Sequence, residues 1–278
     1  MTGPIGVAGR FDPIELSDPA FEHEYLRNLT FYSPSLRGRG DVSLFVPPGL
    51  DALEKLPIVI LLHGVYSSHW SWFLKGGAHR TALELIRQER MRPMLMVAPS
   101  DGLRGDGTGY IPGSDQDYEA WICSDLIACI KELFCPVRGD ADIFLTGLSM
   151  GGHAALRLGA KYPDRFRGIS AHSAITQVDQ FNAFVRDMSC FQSAPRETLD
   201  VLYWIRQHRH KLPPLRFDCG REDALLDGNC ALHQTLEQDR MPHEFKINDG
   251  DHSWPYWQAH VGDSLLFFER ILKEQDQL

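Results

Sequence analysis

A serine flanked by glycines, Gly147-Leu148-Ser149-Met150-Gly151, sits where an apolar run gives way to a helical pattern. Residues 141–146 read as a short strand and residues 152–160 as a helix. A sharp turn from strand to helix lifts a hydroxyl clear of the sheet, and small flanking residues leave room for the crowded backbone. Ser149 is therefore the candidate nucleophile. A serine hydroxyl is a weak nucleophile at its ordinary pKa, so it requires a neighbouring base, and the base requires an orienting carboxylate.

Both partners can be sought on loops that follow later strands. Leu215 to Gly220 reads as a buried strand ending in a turn, which places Asp223 at its carboxyl end. Glu222 and Asp227 stay open as alternatives, whereas Asp218 lies inside the strand and reads as structural. Glu244 to Asn248 alternates like a further strand, and Asp249 to Trp254 forms the loop after it, with His252 as candidate base. The chain has 12 histidines, and His63, His153 and His172 also fall near strand ends. Only His252 follows both Ser149 and Asp223 and precedes a terminal helix. His153 lies one helical turn beyond Ser149 and reads as a packing residue.

Attack on a carbonyl also needs backbone donors for the developing oxyanion. One is expected from Met150, the residue after the nucleophile, whose N–H opens the helix. The other is expected from the loop after the most apolar run, Pro57 to Leu62, which continues as His63-Gly64-Val65. Val65 is the favoured donor and Gly64 the second choice. The candidate substrate-lining side chains are His63, Trp70, Tyr110, His172 and Trp254. Trp70, Trp72 and Phe73 after the oxyanion loop suggest a tight aromatic entrance for short acyl groups.

Two loops depart from a minimal pattern. Pro99 to Gln116 carries five glycines, Gly102, Gly105, Gly107, Gly109 and Gly113, at the end of a strand where function concentrates. Its spacing weakly resembles a nucleotide loop, but no helix opens after Gly109; calcium binding through Asp101 and Asp106 is also disfavoured. An active-site wall bearing Tyr110 is the better expectation. Thr176 to Arg196 holds Phe181, Phe184 and Phe191 and reads either as a lid-like insertion or as rings packed on the core.

These loops must be carried by a scaffold. Strands are expected at about 25–33, 41–46, 57–62, 93–98, 142–147, 168–174, 215–220 and 244–248, with helices at about 77–90, 117–134, 150–161, 197–210, 229–240 and 257–274. Such alternation predicts the α/β class: a mostly parallel central sheet of about eight strands with helices on both faces.

With these pieces in place the chain resembles the putative-esterase family of α/β hydrolases, which includes esterase D, S-formylglutathione hydrolases, feruloyl and acetyl xylan esterases and mycolyltransferases. The matching pieces are Leu61-Leu62-His63-Gly64, Gly147 to Gly152 with Tyr162 to Phe166, Cys219 to Asp223, and His252 to Trp257. The resemblance implies the α/β-hydrolase fold, a serine carboxylesterase, and the roles given above to Ser149, Asp223 and His252. It does not choose the ester. An acyltransferase passing the acyl group to a sugar or other alcohol, and a thioester hydrolase acting on S-formylglutathione, remain the alternatives. A catalytically silent scaffold on the same fold is disfavoured because nucleophile, carboxylate and base occur in order.

Composition sets the remaining bounds. A chain of 278 residues with 43% hydrophobic content can bury one large core, and neither linker nor repeat is visible, so one domain spanning 1–278 is expected. Twenty-eight basic against 37 acidic residues leave a net charge of -9, which disfavours nucleic acid or an anionic membrane as partner. The expected partner is a small-molecule ester, with a homo-oligomer left open. No apolar run is long enough to span a bilayer, and the stretch from Met1 to Asp12 lacks the basic and apolar regions of a leader. The six cysteines, Cys123, Cys129, Cys135, Cys190, Cys219 and Cys230, show no C-x-x-C spacing. Reduced thiols, a cytoplasmic location, no cofactor and no metal are the resulting expectations.

Overall fold

Aliphatic runs without polar alternation form strands that are covered on both sides, and the centre of this protein is built from them. The computed structural model describes residues 9–49, 55–134, 140–192 and 194–277. Cys135 and Met1 to Ala8 lie outside the described residues. The strands are β1 (Ile14–Leu16), β2 (Leu26–Ser33), β3 (Gly38–Phe45), β4 (Ile58–Leu62), β5 (Leu95–Pro99), β6 (Ile143–Leu148), β7 (Gly168–His172), β8 (Leu215–Gly220) and β9 (Glu244–Asn248). Every residue of β4 to β8 is buried, whereas β9, at the edge, is not.

The strands make a single sheet in the order β1-β2-β3-β5-β4-β6-β7-β8-β9. The pairs from β1 to β3 and on to β5 are antiparallel, and all pairs from β5 to β9 are parallel. Nine strands replace the expected eight. The added one, β1, has three residues, too few for an alternation to register in the sequence.

The helices are α1 (Ser71–Leu74), α2 (Ala78–Arg87), α3 (Tyr118–Ala120), α4 (Ile127–Leu133), α5 (Met150–Lys161), α6 (Val201–Gln207), α7 (Leu226–Gln238) and α8 (Trp254–Gln275). Trp121–Leu126, between α3 and α4, is π-helical. One face of β4 turns Ile58, Ile60 and Leu62 toward Trp121 and Ala154, while Val59 and Leu61 on the other face meet α2 and α8. A third cluster packs α5, α6 and α7 against Ile169, Ala171, Leu215 and Phe217 of β7 and β8. Behind the turn at Ser149, the Arg157 guanidinium of α5 reaches Glu119 of α3 at 2.6 Å, and Lys161 and Tyr162 converge on the same carboxylate. Burial pushes the Glu119 carboxyl up, but Arg157, Lys161 and Tyr162 outweigh it and hold it below its ordinary value. This anchoring leaves α5 a fixed platform.

Candidate active site

Ser149 lies between β6 and α5 in a left-handed conformation, φ 53° and ψ -116°. Its N–H donates to the His172 carbonyl at 3.0 Å, and its own carbonyl accepts from His153 at 2.9 Å. Positive φ is costly for a residue with a side chain and is tolerated only where the surroundings fix it. Here the surroundings are backbone. A methyl group on Gly147 would lie 2.9 Å from the Leu62 carbonyl oxygen, and one on Gly151 2.6 Å from that of His63. Only glycine lets α5 lean this closely on the end of β4.

His252 and Asp223 arrive on neighbouring loops after β9 and β8. The two loops touch at Gly220 and Gly250, the latter at φ 124°, and Glu222 N–H donates to the Gly250 carbonyl at 2.9 Å. That contact sets Asp223 beside His252. His252 Nε2 lies 3.0 Å from Ser149 Oγ, and His252 Nδ1 lies 3.0 and 2.9 Å from the two Asp223 oxygens. Asp223 also accepts from the Leu225 N–H at 2.8 Å. Burial pushes the Asp223 carboxyl up, yet His252, the Ser173 hydroxyl and the Leu225 amide outweigh it, so the group ionises below its ordinary value. Glu222 and Asp227 stand outside this hydrogen-bonded line.

The backbone beside Ser149 offers further donors. Met150 opens α5, at the positive end of the helix dipole. Across from it, a methyl group on Gly64 would lie 2.7 Å from Leu148 Cδ1, so the loop after β4 is pressed against the serine turn. His63 controls that loop from inside. Its Nε2 accepts from the Asp101 N–H at 3.1 Å, which leaves the proton on Nδ1 to donate to the Gly64 carbonyl at 2.8 Å. In a trans peptide the C=O and the following N–H point in opposite directions, so fixing the Gly64 carbonyl aims the Val65 N–H. Burial drives the His63 pKa down against the pull of Asp101 and the Gly64 carbonyl, favouring this neutral form.

A cavity of about 440 Å³ opens at the serine. Val65, Tyr66, Trp70, Lys75, Phe184, Trp254 and Trp257 line it. The His252 ring is held between Phe184, stacked at 5.5 Å, and Trp257, edge-on at 5.1 Å. Of the candidate lining residues, Trp70 and Trp254 face this cavity. His63, Tyr110 and His172 do not, and the sequence expectation for them is corrected. His63 is 1% exposed and bound to backbone groups, as described. Tyr110 is fully buried: its hydroxyl engages the His63 backbone at 3.1 and 3.3 Å, and Arg157 donates to its carbonyl at 2.9 Å, pulling the glycine-rich loop into the core. His172 is fully buried against Asp218 and Ser264.

The carboxylates considered for calcium have other partners. Asp101 accepts from Leu103 and Thr108 amides, and Asp106 pairs with Arg186. Phe181 and Phe191 pack on each other at 4.4 Å inside the core, so of the three phenylalanines in Thr176 to Arg196 only Phe184 reaches the cavity. Tyr66, Lys75, Phe184 as a direct neighbour of His252, and Ser173 behind Asp223 carry no motif signal in the sequence reading. Ser173 directly follows β7, at the edge where the other site loops emerge, and that position was the available signal.

A family model described as putative esterase matches residues 33–268. An acetyl esterase of Caldicellulosiruptor saccharolyticus is 22% identical over 274 residues, covering 88% of this chain and 98% of the relative. An S-formylglutathione hydrolase of Paracoccus denitrificans is 25% identical over 253 residues, covering 80% and 85%. Among solved structures, a ferulic acid esterase superposes with a TM-score of 0.76 at 24% identity, covering 88% of this chain and 98% of its own. A fluorophosphonate-binding serine hydrolase of Staphylococcus aureus superposes with a TM-score of 0.76 at 19% identity, covering 87% and 97%. The shared architecture is that of the α/β hydrolases.

Proposed function

The chain belongs to the putative esterase family, and we propose that it is a serine carboxylesterase that hydrolyses short-acyl esters through an acyl-enzyme intermediate. The observation that carries this reading is the line from Ser149 Oγ to His252 Nε2 at 3.0 Å and from His252 Nδ1 to Asp223 at 2.9 Å. Ser149 attacks the ester carbonyl while His252 takes its proton, and Asp223, ionised and fixed, holds the imidazole with its Nδ1 proton inward. The Met150 and Val65 amides meet the negative oxygen of the tetrahedral adduct, with Gly64 as the alternative to Val65. Collapse returns the proton from His252 to the leaving alcohol. Water, deprotonated by the same imidazole, then releases the acid and restores Ser149.

Trp70, Trp254 and Phe184 around a cavity of about 440 Å³ support a small acyl group. Phe184, in the segment expected as a lid, is the part that covers the cavity and excludes water from the acyl carbonyl. The similarity to an S-formylglutathione hydrolase supports a thioester as a second substrate class for the same machinery. The free thiols Cys123, Cys129, Cys219 and Cys230 favour a reducing, cytoplasmic setting. Among the described residues no helix is long and apolar enough to cross a membrane.

The test is Ser149→Ala assayed on p-nitrophenyl acetate. Turnover is expected to fall by roughly 10^4-fold or more with the fold retained, and labelling by a fluorophosphonate probe should disappear. Near-native turnover in a folded variant would refute the assignment. A panel of acetyl, butyryl and long-chain p-nitrophenyl esters with S-formylglutathione then ranks the substrate classes, and activity confined to long chains would refute the short-acyl reading.

A further inference from the structure

At the opposite end of the sheet from Ser149, α7 and the start of β9 bring together side chains that esterase chemistry does not use. His233 and Glu237 lie one turn apart on α7, a spacing that puts both on one helix face. His243 precedes β9 and faces them. The three ligand atoms of His233, Glu237 and His243 all lie within 4.8 Å of one another. His233 Nδ1 is 2.8 Å from His243 Nε2, and a Glu237 oxygen is 4.0 Å from the same nitrogen.

We propose that His233, Glu237 and His243 form a binding site for a divalent cation of the zinc class, completed by water. Two imidazoles and one carboxylate suit a borderline transition metal, whereas calcium and magnesium prefer all-oxygen sites. The rings are already held. His243 stacks on Phe217 at 5.7 Å and 15°, and its Nδ1 lies 2.7 Å from the Met241 carbonyl. That outer bond keeps the proton on Nδ1 and points the Nε2 lone pair at the site, the arrangement that orients metal-bound histidines. His233 packs on Phe245 at 4.9 Å, and with Nε2 of His243 as acceptor it is His233 Nδ1 that carries the shared proton. On loading, that proton moves through solvent to His233 Nε2 and the cation takes Nδ1, so no net charge leaves the ring.

Ligand atoms around a tetrahedral zinc stand roughly 3.3 Å apart, given its bond lengths. The two rings therefore separate slightly, and the exposed Glu237 side chain closes in. Such a cation would join α7 to the approach of β9. Asp223 and His252 lie at the other end of the same strand pair, so binding should change stability and leave turnover alone.

The experiment titrates the metal-free full-length chain with Zn²⁺, and separately with Co²⁺ as a visible probe of geometry. The wild type should bind one equivalent of Zn²⁺ with a rise in Tm, and Co²⁺ should give the absorption of a four-coordinate site. His233→Gln and Glu237→Gln should weaken Zn²⁺ binding by about tenfold or more, the scale on which site partners affect affinity. Both should lose the Tm rise and keep wild-type kcat on p-nitrophenyl acetate. Glu237 is exposed, so its variant separates metal loss from misfolding. Equal Zn²⁺ affinity in wild type and both variants, or no binding by the wild type, would overturn the proposal.

Discussion

The line from Ser149 through His252 to Asp223 has a near twin inside the protein. Ser264 Oγ lies 2.7 Å from His172 Nε2, and His172 Nδ1 lies 3.0 Å from Asp218 Oδ1. The residue types and distances match those at the cavity, yet all three members of the inner line are 0% exposed. Ser149 sits on a left-handed turn at a helix start, whereas Ser264 lies in the middle of α8, where the nearby amides are committed to the helix. The inner hydroxyl also shares a 2.6 Å hydrogen bond with Ser170, and Asp218 accepts from Tyr256 at 2.7 Å and pairs with Arg216 at 2.7 Å. Hydrogen-bond geometry of this kind is therefore common to a packing network and to an active site. Access to a cavity and a position at the start of a helix set Ser149 apart from Ser264.

The widest expected separation lies in turnover. Asp223→Asn should lower kcat by roughly 10^3- to 10^4-fold, since the amide favours the wrong imidazole tautomer. Asp218→Asn should keep the turnover of each folded molecule close to that of the parent. Initial rates normalised to folded protein measure both, and an equally inactive, folded Asp218→Asn protein would erase the distinction.

The inner network should show itself in stability instead. Asp218→Asn strips the buried Arg216 of its nearer charge partner and leaves it only Asp263 at 3.5 Å, so the expected loss is about 3 kcal/mol in urea unfolding. The pH dependence sharpens this further. Burial alone would raise the Asp218 pKa, but His172, Arg216 and Tyr256 bring it down to about 2. A carboxyl depressed in the folded state stabilises it above its unfolded pKa and loses that contribution as pH falls through the folded one. A loss of about 2 kcal/mol is therefore expected between roughly pH 5 and pH 2, a window that the Asp223 depression reinforces. The fall in urea midpoint on acidification should be shallower in Asp218→Asn than in the wild type. The smallest effect belongs to Ser264→Ala, expected to lose about 1 kcal/mol with kcat intact. A large loss of kcat there would make the inner serine part of the chemistry.

Much of the architecture was legible because the relevant signals are local. The apolar runs of β4, β6 and β8 and the glycine-serine turn each declare themselves within a few residues. Chain order then separated His252 from His172, whose own partners run in the order His172, Asp218, Ser264. The lining residues were harder because orientation is decided by distant contacts. Tyr110 looks like a wall residue in a glycine-rich loop, but Arg157 on α5 and the backbone at His63 draw it inward. Phe184 looks no different from Phe181 and Phe191 in sequence, and only the path of its turn sends it against His252. His243 carries no spacing signal with His233, because the turn between α7 and β9 alone brings them together.

The contact of Gly151 with the carbonyl ends of Leu62 and His63 has a consequence for evolvability. The end of β4 and the start of α5 are held together there by main chain resting on main chain, and the Gly64 carbonyl is fixed by the buried His63, not by any residue that lines the cavity. Randomising Trp70, Phe184 and Trp254 in a library should therefore exchange one acyl preference for another while the backbone around Ser149, Met150 and Val65 is inherited unchanged.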